Sequence, residues 1–346
     1  MNSRQKTVWP ILGLAFALSF VAQAALGAIS ISGSQLVRDG RPWIPRGVVL
    51  VGRVAPAAVT RGKYAEARAQ FGDRELKDID RFGADLVRFQ VSQGGVDPQS
   101  DIYSAAYLDE VVQAVRLARA HGFAVIVCLQ SEKPSGENDP NGLPTDSSRR
   151  AWAQLAPRFA SDTDVMLELF NEPSRPRGSG KGGSNPTWVE WRAAMQSVLD
   201  VVRQARARNV VIADGLDWSH RLDGVPLLSD PEGKVVYAVH PSPRLHRYQN
   251  GRDWDQAFGD FARNHPVLVT AWNARNGRIC LESMPTIAAD FLSYARAHRL
   301  GVVGWSYDFP GALRNADGTL SSYDKFSCNS PNSFGAGQLL HNYFTH

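Results

Sequence analysis

The stretch Leu169-Phe170-Asn171-Glu172-Pro173 closes a short apolar run and ends it with a carboxyl group. A carboxyl at a buried strand end is desolvated, which favours its acid form toward neutral pH. Such a group can protonate a leaving oxygen. Asn171 beside it can donate to a hydroxyl and hold a ring in register, and Pro173 fixes the exit of the loop. Other apolar runs end in groups of the same kind. The second carries Arg88, the third ends at Gln130 and the sixth at His240. Asp214, Asp217 and Trp218 follow the fifth, Thr270-Ala271-Trp272 close the seventh, and Trp305, Tyr307 and Asp308 end the eighth. Aromatic faces, hydroxyl partners and a few carboxylates together suit a carbohydrate rim, with Trp218, Trp272, Trp305 and Tyr307 as the candidate stacking residues.

The elements that must position these groups repeat along the chain. Eight short runs recur: Gly47–Val51, Leu86–Val91, Ala124–Leu129, Val165–Phe170, Val210–Ala213, Val235–Val239, Val267–Thr270 and Val302–Trp305. Most are apolar throughout, which describes strands covered on both faces and hence a parallel sheet. Helical stripes lie between them: Leu108, Val111, Val112 and Val115; Trp188, Trp191, Met195, Val198, Leu199 and Val202; Ile287, Phe291, Tyr294 and Ala295. Eight such units predict a closed (β/α)8 barrel of the TIM type, whose chemistry sits at the C-terminal ends of the strands. An open doubly wound sheet fits less well, because Val51-Gly52-Arg53-Val54 is not a Gly-rich phosphate turn. Alternating residues around Asp39-Gly40 predict a small N-terminal β-hairpin that closes the barrel bottom.

Ahead of the hairpin, Arg4 and Lys6 precede an apolar run ending in Ala22-Gln23-Ala24, the pattern of a secretory leader. Residues 1–24 are expected to be removed, with Ala28 as a second cut, leaving one domain over 29–346. The expectation is a secreted or periplasmic protein without stable membrane association. Among 346 residues, 38 are basic and 34 acidic, a net +4 that falls to +2 without the leader. That surplus gives no case for nucleic acid. No Cys/His spacing resembles a zinc site, so no metal or cofactor is expected. Cys280 and Cys328 fall in neighbouring loops and are candidates for a disulfide, whereas Cys128 lies in an apolar strand and reads as a buried thiol. Arg175, Arg177 and Lys181 in the Gly/Ser-rich loop after Pro173 could attract an acidic glycan, although a solvated loop is the simpler reading.

From the hairpin to Phe344 the chain resembles the family 5 glycoside hydrolases, cellulase-like members of the retaining (β/α)8 clan. Arg46-Gly47 opens the first strand as in that family. Gly83-Ala-Asp-Leu-Val-Arg88 resembles its second-strand segment, where the Arg braces the catalytic carboxylates. Asn171-Glu172-Pro173 resembles its acid/base motif, Val239-His240-Pro241 its sixth-strand histidine, and Gly304-Trp305 its sugar-subsite tryptophan. The resemblance implies a glycosidase acting on O-glycosyl bonds of a β-linked poly- or oligosaccharide, with Glu172 as acid/base; the sequence leaves the oligomeric state open, with a monomer the simplest expectation.

The departures are specific. The third strand ends in Gln130 where the family often has His, and the Tyr of the sixth-strand pattern is missing. The family's nucleophile, a Glu ending the seventh strand, falls by register on Ala271. Retaining hydrolysis needs two carboxyls about 5–5.5 Å apart. General acid catalysis alone supplies roughly 10²–10⁴-fold, against the 10⁶-fold or more typical of enzymes. Three readings follow: another carboxylate (Asp308, Glu282 or Glu137) takes the role, the chain is a carbohydrate-binding pseudoenzyme, or the register is off.

Overall fold

The computed structural model describes residues 28–130, 142–175, 184–274, 280–324, 326–329 and 335–346. The leader, Glu137, Arg177 and Lys181 lie outside these residues. Eight parallel strands close a barrel: β4 (Arg46–Leu50), β5 (Leu86–Ser92), β6 (Ala124–Gln130), β7 (Val165–Glu168), β8 (Val211–Asp214), β9 (Val235–Val239), β10 (Val267–Trp272) and β11 (Gly301–Gly304). The sheet runs in chain order and closes where β11 pairs with β4. All eight expected strands are present, shifted by no more than two residues at either end. This is the (β/α)8 barrel that the alternation predicts.

The N-terminal unit is larger than a hairpin. Three antiparallel strands, β1 (Ile29–Ser32), β2 (Gln35–Arg38) and β3 (Arg41–Pro42), are joined by turns that carry Gly33 and Asp39-Gly40 at positive φ. Ile29 and Leu36 pack into the same interior cluster as Leu86, Ala124 and Leu268, at the N-terminal ends of the barrel strands. The sheet therefore plugs the end of the barrel opposite the chemistry.

Period-two alternation explains how continuously apolar strands build two cores. On β6, Ala124, Ile126 and Cys128 face the barrel interior, while Val125, Val127 and Leu129 face the helices. Met166 on β7, Ile212 on β8, Val236 and Ala238 on β9 and Leu268 on β10 also face inward. The next inward positions toward the C-terminal ends are Glu168, Asp214, His240 and Thr270, and on β5 Arg88. The interior thus turns from aliphatic to polar at the level where chemistry is expected.

β10 carries an irregularity that matters at the site. Val269 pairs with Val302 and Trp272 with Gly304, so Thr270 and Ala271 on β10 oppose Val303 alone on β11. An extra residue of this kind is a β-bulge. Its effect is that Thr270 and Ala271 both lie on the inner side, while Trp272 turns out to stack on Phe291 of the helix Met284–Ala297.

The βα loops are fastened by buried charge. Asp97, in the loop after β5, accepts from Arg150 Nε and Nη2 at 2.7 Å each, from Ser147 Oγ at 2.6 Å and from the Gln99 N–H at 3.0 Å. Burial works to raise this carboxyl, but the bonds from Arg150, Ser147 and Gln99 outweigh it and hold it at about 2. Its folded value lies below the unfolded one near 3.9, so its contribution is complete above pH 4 and fades as pH falls toward 2. We expect Asp97→Asn to cost about 2 kcal/mol at pH 7 and nothing at pH 2. Urea unfolding across pH 2–7 reads this directly, and a cost unchanged with pH would contradict it.

Candidate active site

Each side chain at the mouth is held by a different strand. Arg88 and Glu168 are fully buried and face each other across the interior, with Nε donating to Oε2 at 2.6 Å and Nη2 to Oε1 at 3.0 Å. Arg88 Nη2 also donates to Asn171 Oδ1 at 2.8 Å and lies 3.0 Å from Cys128 Sγ. Asn171 is thereby oriented with its oxygen turned down, leaving its amide hydrogens as the donor side. Burial alone would raise Glu168, but the Arg88 guanidinium holds it well below the ordinary glutamate value. Arg88 therefore braces Glu168 and Asn171 rather than bonding to Glu172 directly.

Glu172 sits one residue past this layer with φ +54°, a left-handed conformation uncommon outside glycine. Its N–H donates to Asp214 Oδ2 at 2.9 Å, and Ser219 Oγ donates to the same oxygen at 2.8 Å. Ligand atoms of Asp214 and Glu168 lie within 4.8 Å of each other. Burial and the Glu168 charge push Asp214 well above its usual range. Glu172 Oε1 meets His240 Nδ1 at 2.9 Å, and the Glu172 side chain keeps about 25% of its surface open. His240 Nε2 lies 2.9 Å from Thr270 Oγ1, which lies 2.8 Å from Glu168 Oε1.

The charge state of Glu172 differs from the sequence expectation. Burial acts to raise it and is the largest single influence, but the hydrogen bond and charge of His240, with the charges of His220 and Arg88, together outweigh it, and the carboxyl lies below its usual value. Desolvation was the right term with the wrong weight.

Several expected contacts are absent for packing reasons. Trp272 is 1% exposed in the outer core, with the bulge turning it away from the mouth. Tyr307 is 5% exposed between Phe82 and the Arg314 guanidinium, so neither ring is available as a platform. Asp308 accepts the N–H groups of Val51 and Gly52 at 2.8–3.0 Å and staples the loop after β11 to β4. Its oxygens are occupied, which removes it as a free nucleophile, although burial lifts it to about 6. Glu282 is exposed and accepts the Cys328 N–H at 3.0 Å, outside the mouth.

The remaining candidates stay near the rim. Trp305 is half-buried beside Phe309, and Trp218 is half-buried with Arg244 stacked 5.3 Å from its ring. Gln130 is buried at the end of β6, with Oε1 lacking a partner among the described residues. Ala271 is 8% exposed in the interior cluster that Trp305 packs against. Cys280 and Cys328 are joined by a disulfide with Cα atoms 5.6 Å apart, and Cys128 is a buried free thiol.

Glu168 is a layer residue that the sequence reading does not name, and Asp214 and Thr270 appear there only as strand-end groups without a role. A charge inside Val165-Met-Leu-Glu-Leu-Phe170, at the inward parity of Met166, was the available signal for the first. His220 was also passed over. Its Nδ1 faces the carbonyls of Asp217 and Trp218, and burial lowers it to about 4, leaving it neutral. It follows Asp217, Trp218 and Ser219, three consecutive non-glycine residues at positive φ. Ligand atoms of Glu168, Asp214 and His240 lie within 4.8 Å of one another, a spacing that could hold a metal ion. Here the bidentate Arg88 guanidinium already neutralises Glu168, and a second cation would meet it at close range.

A barrel closed by eight parallel strands, with its polar layer and an Asn-Glu-Pro turn at the C-terminal mouth, defines the class of (β/α)8 glycosidase frames. Residues 70–310 match the cellulase family, glycosyl hydrolase family 5, and the chain belongs to that family. Endoglucanase E-5 of Thermobifida fusca is 24% identical over 266 residues, covering 73% of this chain and 52% of that protein. Cellulase CelDZ1 of a Thermoanaerobacterium species is 22% identical over 236 residues, 64% of this chain and 57% of that one. The chain thus spans little more than half the length of these curated relatives. A β-glucanase of Saccharophagus degradans, solved in complex with cellotetraose, superposes with a TM-score of 0.69 at 19% identity over 92% of this chain and 93% of its own. The catalytic domain of the Thermobifida fusca endoglucanase gives 0.64 at 20% identity over 93% and 98%.

Proposed function

We propose that the chain is a glycoside hydrolase of β-linked glucans, with Glu172 as its general acid and a vacated nucleophile position at Ala271. The observation that carries this reading is the Glu172–His240 couple at the barrel mouth, with a methyl group on the inner face of β10. The family supplies the reaction class, and the relatives' names and the cellotetraose complex support a β-glucan as the sugar. Trp305, Trp218, Asn171 and Gln130 are the groups offered to the glycan. Export by the leader is part of the same proposal. Among the described residues no helix is long and apolar enough to cross a membrane.

A second reading, a carbohydrate-binding pseudoenzyme, has its own support. Three of the described carboxylates at the mouth are engaged: Glu168 is paired with Arg88, Asp214 accepts the Glu172 N–H and the Ser219 hydroxyl, and Asp308 is held by backbone N–H groups. None of these three is placed to attack an anomeric carbon.

One assay separates the two. Aryl β-cellobioside is incubated with the protein, with and without azide. The hydrolase reading expects slow release of the aryl group, accelerated by azide with formation of a glycosyl azide. Glu172→Gln should lower release from a substrate with a poor leaving group by roughly 10²–10⁴-fold. Tight oligosaccharide binding with no release under either condition would establish the pseudoenzyme.

A further inference from the structure

The hydrogen atoms of the mouth can be counted. The Thr270 hydroxyl owns one hydrogen and has two polar neighbours, Glu168 Oε1 at 2.8 Å and His240 Nε2 at 2.9 Å. Glu168 is ionised against Arg88 and has no hydrogen to give. If Thr270 pointed its hydrogen at His240, two oxygen lone pairs would face each other at 2.8 Å inside a buried layer. The Thr270 hydrogen therefore goes to Glu168, and the Thr270 oxygen must accept. Among the described residues its remaining neighbour in that contact is Nε2, which must carry a hydrogen.

This assignment propagates to the other side of the imidazole. With its hydrogen committed to Nε2, a neutral ring presents a bare lone pair at Nδ1. That nitrogen lies 2.9 Å from Glu172 Oε1, itself a carboxylate oxygen. Two acceptors at that distance repel, so a second proton must lie between them. We infer that Thr270 is a positioning residue: by giving its single hydrogen to Glu168 it fixes His240 as the Nε2–H form, so that His240 and Glu172 hold one proton in common.

The surrounding groups agree with this count. His240 is faced by Glu172 at Nδ1 and by Thr270 at Nε2. Asp214 Oδ2 stands 3.7 Å from Nε2, too far to take the bond, and its hydrogen bonds come from Glu172 and Ser219. The His240 backbone N–H goes to the Ser219 carbonyl. Arg88 is the fixed cation of the layer and Glu168 its fixed anion. The couple of His240 and Glu172 is then the mobile part. When Glu172 protonates a leaving oxygen, the proton it uses is the shared one. The couple is left without it until solvent supplies another. The catalytic meaning rests on the proposed acid role of Glu172; the tautomer does not.

The test is long-range 1H–15N NMR on the intact protein labelled at its eight histidines, with His240 assigned by loss of its signals in His240→Gln. As pH is raised until the ring is neutral, wild type should retain the hydrogen on Nε2. Thr270→Ser should give the same pattern, because the hydroxyl is kept. Thr270→Val removes the acceptor, and the neutral ring should shift its hydrogen to Nδ1, facing Glu172. A neutral wild-type ring with hydrogen on Nδ1 would overturn the inference, whatever the variants do. So would an unchanged Nε2–H pattern in a folded Thr270→Val protein. A protein that shows the expected tautomers yet never releases an aryl group would leave this inference standing and count against the hydrolase reading alone.

Discussion

Replacing Arg88 with Met is expected to destabilise the protein by about 3–5 kcal/mol, the cost of stripping one member from a buried ion pair. Arg88 and Glu168 are both fully buried, and the guanidinium also donates to Asn171. Without it, Glu168 has a fixed neighbour only in Asp214 and Thr270 and must take up a proton at neutral pH. The loss should thus be largest near pH 7–8 and smaller in acid. A double variant, Arg88→Met with Glu168→Leu, should recover much of it, because an apolar pair of similar volume carries no buried charge. Urea unfolding of the three variants gives the comparison. A single-variant cost under about 1 kcal/mol would mean that the pair is not the anchor of the polar layer.

The second large effect is a gain. Ala271→Glu places a carboxyl on the inner face of β10, at the position where the family's nucleophile falls by register. If Glu172 is the acid, the new group completes the pair that retaining hydrolysis needs. Turnover of aryl β-cellobioside should rise by at least about 10²-fold, since acid catalysis alone leaves a deficit of that order against ordinary enzymes. Retention of anomeric configuration, read by proton NMR during the reaction, would accompany it. No gain in a folded variant that still binds cellotetraose would remove position 271 from the proposal.

The framework was legible because continuous aliphatic runs carry a strong signal for a parallel sheet. Even the inward residues of β6 and β9 follow from simple alternation. The site was less so. Trp272 reads as a platform from its place at the end of the seventh strand; one bulged residue turns it outward instead. Tyr307 and Asp308 stand at a strand end, where a sequence gives position but not direction. Glu168 went unremarked because a charge in an apolar strand announces a buried partner without saying which. The lowered pKa of Glu172 depends on a histidine 68 residues away, a pairing visible only once β7 and β9 are folded against their neighbours.

The bulge in β10 also bears on how such a protein persists. It sets the anchor of the histidine, Thr270, and the vacated Ala271 on consecutive residues that share one wall of the barrel. The hydrogen-bonded ring passes through the first and bypasses the second. A side chain exchanged at position 271 would therefore meet the barrel interior without removing a hydrogen bond from the histidine's anchor.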